Sequence, residues 1–238
     1  MTTVAVLCDA PGSERVLQGL AETSPLSASE TESLYAALLK DTALSVARSG
    51  GDLLVNYRDE DAEDAVREVV AEAVDPGDAR FEVQVGETYA GRVGNTVTHL
   101  LETEDTGSVA AVSPEAAFLA RTQIDEAAMK LRSSEVVLGP AQGGRVYYAA
   151  FAEAIDFEDA YAPPAVETLT DRAIDAGFGV DFIANGPLLE TGADLADVLV
   201  QLRARRKSEA IVPPHLAEWA AESDLVVHAD GGELSLTR

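Results

Sequence analysis

The sequence predicts an α/β protein with a mostly parallel central sheet and helices on both faces. Two observations carry this. Strand-like and helix-like stretches alternate almost from end to end, and the apolar residues switch between short runs or period-two spacing and helical spacing as they do so. The chain is also large and apolar enough, at 238 residues of which 47% are hydrophobic, to bury a core without disulfide or metal staples. No internal repeat and no low-complexity linker divides it. The expected organisation is one domain over residues 1–207, with a C-terminal extension over 208–238 packed on it.

The elements follow in order. "TVAVLCD" (3–9) is a strand, and 27–49 a long helix capped by Ser29 or Thr31, with glutamates in its first turn facing the helix dipole. Residues 52–57 form a second strand, 59–74 a second helix, and 80–86 a third strand alternating Phe81, Val83 and Val85. A helix around 94–104, a strand over 107–112 and a helix over 114–133 come next, the last with Pro114 at the opening position that suits proline. A strand at 135–139 leads into "GPAQGGR", and an aromatic strand re-enters at Tyr147 and Tyr148. Beyond it lie a Pro163-Pro164 turn, a helix ending near 177, a strand in "FGVDFIA", a loop and helix over 186–206, and a short helix. A final hairpin turns at Asp230-Gly231-Gly232.

Charge narrows the partners. The chain holds 42 Asp and Glu against 17 Lys and Arg, a formal net charge of -25, and only Lys40, Lys130 and Lys207 are lysines. Such a surface repels nucleic acid. Its carboxylate coat is that expected of a protein from a high-salt cytoplasm, where screening removes most of the self-repulsion. No apolar run is long enough to span a membrane, and the N-terminus reads as a strand in place of a signal core, so the expected location is cytoplasmic. The single Cys8 excludes an internal disulfide and sits in an apolar run as a buried thiol.

His99, His215 and His228 lack metal-ligand spacing, and no Gly-x-Ser-x-Gly elbow, Walker loop or Gly-x-Gly-x-x-Gly fingerprint occurs. The basic run "QLRARRK" (201–207) suits a helix C-terminus, the alternative being an anion or protein docking patch, and "DFEDAY" (156–161) a solvated acidic loop, the alternative being a cation held by Asp156, Glu158 and Asp159. In parallel sheets, ligands bind beyond the carboxyl ends of the strands. Three loops leave those ends: "DAPGSER", "VSPE" and "GPAQGGR". In the last, Gly143 and Gly144 either bring backbone against a ligand or make a tight turn, and Arg145 is either an anion clamp or a surface arginine.

"DAPGSER", "LYAALLKDT", "VSPE", "LGPAQGG" and "LLETGADL", in this order, resemble the glycosyltransferase-A-like family of unassigned function, relatives of the nucleotidyltransferases that handle molybdopterin and phospholactate. The resemblance covers residues 3–205. It implies a nucleotide-diphospho-sugar transferase fold, with a nucleotide or nucleotide-sugar over the first strand ends and a carboxylate-held Mg²⁺ or Mn²⁺. Carried onto this chain, the nucleotide-binding positions are Pro11, Gly12, Arg15, Ser113, Gly139, Pro140, Gln142, Gly143, Gly144 and Arg145, and the metal position is Glu190. The departures are specific. Of a Lys-Thr-Arg run only Arg15 remains a cation; Val112 replaces a metal-facing aspartate; Gly143 replaces an aspartate and Arg145 a glycine; Leu188 replaces the first aspartate of the Asp-Val-Asp-Thr run. Valine offers no oxygen to a hard cation, so metal should be held weakly. The resulting expectation is a weakly active or inactive nucleotide- or anion-binding or regulatory module, self-associating or partnering an active transferase. The alternative is an active glycosyl- or nucleotidyltransferase that uses Arg15 and Arg145 as phosphate clamps.

Overall fold

The computed structural model describes residues 2–238. Seven strands form the central sheet: β1 (Thr2–Cys8), β2 (Asp52–Tyr57), β3 (Ala79–Val83), β4 (Ser108–Val112), β5 (Val136–Pro140), β6 (Val146–Phe151) and β7 (Val180–Phe182). Their order is β3-β2-β1-β4-β6-β5-β7. Only β6 runs against the rest, pairing antiparallel with both β4 and β5, so the sheet is mostly parallel, as the alternating pattern predicts.

Every residue of β1 is buried, the mark of a strand covered on both faces. Val4, Val6 and Cys8 face one core layer together with Leu39, Val66 and Ile124, from α2 (Ala28–Ala47), α3 (Glu63–Ala71) and α5 (Arg121–Lys130). Ala5 and Leu7 face the other, with Val93 and Val97 of α4 (Tyr89–Thr98) and Leu169 of α6 (Ala165–Asp175). A third cluster joins α1 (Gln18–Thr23), α2, α7 (Gly192–Lys207) and α8 (Pro214–Glu222) through Leu20, Leu34, Leu199 and Leu216. Among the described residues no helix is long and apolar enough to cross a membrane.

Several boundaries differ from the sequence reading. The cap of α2 is Ser27, in a capping box with Glu30, and neither Ser29 nor Thr31 fills that place. The fourth helix begins at Tyr89, capped by Thr88, and continues as a π-turn over His99–Thr103. Pro114 opens no helix: α5 starts at Arg121, and residues 114–120 form turns closed by Ala116 N to Ser113 O (3.2 Å) and Leu119 N to Ala116 O (3.0 Å). The reason is burial on all sides. Ala116, Ala117, Phe118 and Leu119 are consecutive and all buried, whereas a helix packed on a sheet buries one stripe.

The C-terminal hairpin has β8 (Val226–Asp230) and β9 (Glu233–Thr237), with Gly231 and Gly232 at φ 57° and 95° in a two-residue turn. Residues 208–238 lie against α2 and α7. The buried Asp41 carboxylate accepts from His215 N (3.0 Å) and Leu216 N (2.8 Å), and Arg238 reaches Glu30 and the Pro25 carbonyl.

Candidate functional site

A cleft of about 500 Å³ opens at the carboxyl ends of the parallel strands. The chain after β4 supplies Ser113 and Glu115, the β5–β6 connection Arg145, the segment before α7 Leu188 and Glu190, and the start of α4 Tyr89. The region after β1 contributes Leu17, Gln18 and Gly19.

Of the residues singled out in the sequence, Ser113, Arg145 and Glu190 thus meet in one cleft. Pro11, Gly12 and Arg15 do not line it. Arg15 turns toward β2 and pairs with Asp9 (2.8 Å) and Asp59. Gln142 lines a smaller neighbouring cavity with Arg145 and Asp194. Gly139 and Pro140 end β5: the Pro140 carbonyl accepts from Gly186 N (3.0 Å), and a Cβ on Gly139 would stand 2.8 Å from the Tyr147 ring. Gly139 therefore answers to the packing of Tyr147, whose hydroxyl donates to the Ala184 carbonyl (2.9 Å) and accepts from Gln123 (2.8 Å). Gly143 and Gly144 both hold φ 72°, the left-handed region that favours glycine. They form a turn closed by Ala141 N to Arg145 O (2.8 Å).

That turn delivers Arg145 to two acids. Its Nε donates to the Gln142 carbonyl (2.8 Å), Nη1 to Glu190 (2.8 Å) and Asp194 (3.1 Å), and Nη2 to Asp194 (2.8 Å). Four of the five guanidinium N–H groups are thereby used. Asp194 also completes the capping box of α7 with Thr191. Burial works to raise the Asp194 pKa, but the Arg145 and Thr191 hydrogen bonds prevail and hold it low. Asp194 raises the Arg145 pKa in turn.

The remaining cleft carboxylate is Glu115. Burial raises its pKa, opposed by the Ser113 hydroxyl, and the charges of Glu190 and Asp9 add to the rise. At the position of the expected metal-facing aspartate, Val112 is buried and apolar. Among the described residues no group of three or more His, Cys, Asp or Glu converges on a point where a cation could sit.

The structure also exposes residues that sequence reading missed. Arg92, in the first turns of α4, is only 8% exposed and makes no ion pair with a described residue. Its Nη1 donates to the Glu87 carbonyl (3.0 Å), and its buried Nε has no partner among the described residues. Burial lowers its pKa, and the neighbouring cation Arg58 lowers it further. The guanidinium lies 5.8 Å from the Tyr89 ring centroid, and Tyr89 meets Tyr161 edge-on at 5.0 Å. Tyr161 lines the cleft and its buried hydroxyl is also unpartnered. Two orphaned polar groups thus flank Tyr89. The signal available in the sequence was "GETYAGR": Gly86, at φ 131°, followed by a Thr88 cap just after a strand.

No family model matches the chain, and no curated protein matches it in sequence. Solved structures do. A proposed nucleotide-diphospho-sugar transferase from Desulfovibrio desulfuricans G20 superposes with a TM-score of 0.75 at 16% identity, covering 92% of this chain and 95% of that one. A cytidylyltransferase from Leptospira borgpetersenii serovar Hardjo-bovis gives 0.55 at 11% identity over 91% and 92%. A CMP:2-keto-3-deoxy-manno-octonic acid synthetase complexed with CTP gives 0.51 at 11% over 87% and 99%. A sheet of this order, with its cleft at the carboxyl ends of the strands, is the nucleotide-diphospho-sugar transferase fold.

Proposed function

We propose that the chain is a nucleotide- or nucleotide-sugar-binding module on a transferase fold, without metal-assisted transfer of its own. The observation that carries the reading is Arg92. Burying a cation that has no ion pair with a described residue costs several kcal/mol; Arg58, Arg15 and the helix N-terminus repel it, and the charge of Asp9 acts the other way without restoring its pKa. An anionic ligand relieves all three terms at once, and a phosphate suits the guanidinium fork. The binding of CTP by a protein of similar fold supports a nucleotide as that ligand.

The donor set does not fit a tightly held Mg²⁺ or Mn²⁺. Val112 has no oxygen to give, Glu190 is engaged by Arg145, and burial favours the neutral form of Glu115. An ion arriving with the nucleotide would be held mainly by phosphate oxygens, and weakly by the protein. A transferase that clamps phosphate with Arg15 and Arg145 would first have to take both arginines from their carboxylates. The module would then serve as a regulator or as the partner of an active transferase, in the high-salt cytoplasm that its acidic composition suggests.

Calorimetric titration with UDP, GDP and CTP tests this, with and without Mg²⁺ or Mn²⁺. One nucleotide per chain is expected, with affinity changing less than about tenfold on adding metal. No binding under any condition, or metal-dependent binding abolished by Glu190→Ala, overturns it.

A further inference from the structure

A second cavity, of about 420 Å³, lies between α2, the turns before α5, α7 and the segment leading into α8, and shares no residue with the cleft. Its apolar wall includes Phe118, Leu119 and Val212, and Ile211 at its edge is 94% exposed. Three arginines line it: Arg48 at the C-cap of α2, Arg121 from the first turn of α5 and Arg205 from α7. None forms an ion pair with a described residue. In a chain where acids outnumber bases by 42 to 17, three exposed arginines without ion pairs around one apolar groove are a local concentration of positive charge. Arg205 stacks over the Phe118 ring at 4.5 Å. The one carboxylate in the lining, Asp41, has both oxygens on the amides of His215 and Leu216. Ala120, the N-cap of α5, has no side-chain acceptor to offer that helix end, so the field there also favours an anion.

We propose that this groove is a second ligand site, specific for a small phosphate ester with an apolar body. The phosphate lies among Arg48, Arg121 and Arg205, and the body rests on Phe118, Leu119 and Val212. Guanidinium groups match phosphate oxygens in pairs, and the volume falls within the range of small-molecule sites, about 300–1,000 Å³. A small ligand is favoured over an acidic macromolecule by range. A large acidic partner meets the repulsion of the whole surface, of net charge -25, whereas a compact anion in the groove meets chiefly the local arginines.

The test is calorimetry on the full chain with hexyl phosphate, with hexyl glucoside as the uncharged control, at fixed salt. One hexyl phosphate per chain is expected, with hexyl glucoside at least about tenfold weaker. Arg48→Gln and Arg121→Gln should each weaken hexyl phosphate by about tenfold with unchanged circular dichroism. Arg92→Met, at a residue outside the lining of this groove, should leave it unaffected. Equal binding of the two hexyl compounds, unchanged affinity in both glutamine variants, or loss of binding in Arg92→Met overturns the proposal.

Discussion

Arg145 donates to both carboxylate oxygens of Asp194, at 2.8 and 3.1 Å, and so fastens the β5–β6 turn to the first turn of α7. Both side chains are mostly buried, at 20% and 18% exposure. Removing the arginine leaves Asp194 with an unbalanced, poorly hydrated charge, so Arg145→Ala is expected to cost about 2 kcal/mol in urea unfolding. The pH dependence has a definite sign. The folded pKa of Asp194 is depressed, so its contribution is fully present above its unfolded value, about 3.9. It is lost as pH falls below that value through the lower folded one. Parent and Arg145→Ala stabilities should therefore converge in strong acid. An Arg145→Ala variant as stable as the parent but deficient in nucleotide binding would make Arg145 a ligand clamp instead.

Arg92 gives the opposite stability sign. Its desolvated charge burdens the fold, and methionine matches its length without charge. Arg92→Met should raise stability by about 1 kcal/mol while weakening nucleotide binding at least about tenfold. Thermal unfolding and calorimetry read the two effects separately. A variant that loses stability and keeps its affinity would make Arg92 a structural arginine.

What the sequence made legible were elements whose signal is local. The buried run of β1 and the Gly-Gly hairpin turn each declare themselves in a few residues, whereas the strand expected over 80–86 ends at Val83 and leaves Val83 and Val85 exposed, so its period-two spacing marked no buried face. The alternation of elements was enough for the mostly parallel sheet, but not for the insertion of antiparallel β6 between β4 and β5, which depends on pairing between distant strands. The start of α5 was misread because Ala116–Leu119 has the composition of a helix while its burial on every side is a tertiary fact. At the site, Ser113, Arg145 and Glu190 were found by motif order, but the engagement of Arg145 by acids 45 and 49 residues away was not readable. Arg92 escaped because "GETYAGR" marks the start of a helix without saying which of its side chains is buried.

Salt should act on the whole molecule. With a net charge of -25, repulsion among surface carboxylates opposes the compact state, and raising salt from about 0.1 M to about 1 M shortens the screening length from about 10 Å to about 3 Å. The melting temperature is expected to rise across that range in KCl, with circular dichroism at low salt showing partial loss of helix. A melting temperature independent of KCl would remove the physical basis for a high-salt origin.

Asp41 carries the last prediction. It lies within α2, yet its carboxylate accepts from the amides of His215 and Leu216 at the start of α8, doing from 174 residues away what an N-cap side chain does locally. Pro213, the residue at the N-cap itself, has no side-chain acceptor. Burial raises the Asp41 pKa, and the two amide bonds act against it. Because the folded value lies above the unfolded one, the site is most favourable when Asp41 is protonated and loses stability as pH rises from the unfolded pKa through the folded one. Asp41→Asn keeps one acceptor oxygen without the desolvated charge, so it should cost less than Asp41→Ala, which leaves both amides unpaired and is expected to cost about 1–2 kcal/mol. Because Leu216 is buried behind those amides, the loss should appear first as faster proteolysis between residues 208 and 214. Equal cleavage rates in Asp41→Ala and parent would show that the apolar contacts of Leu216 and Leu225 hold the C-terminal segment by themselves.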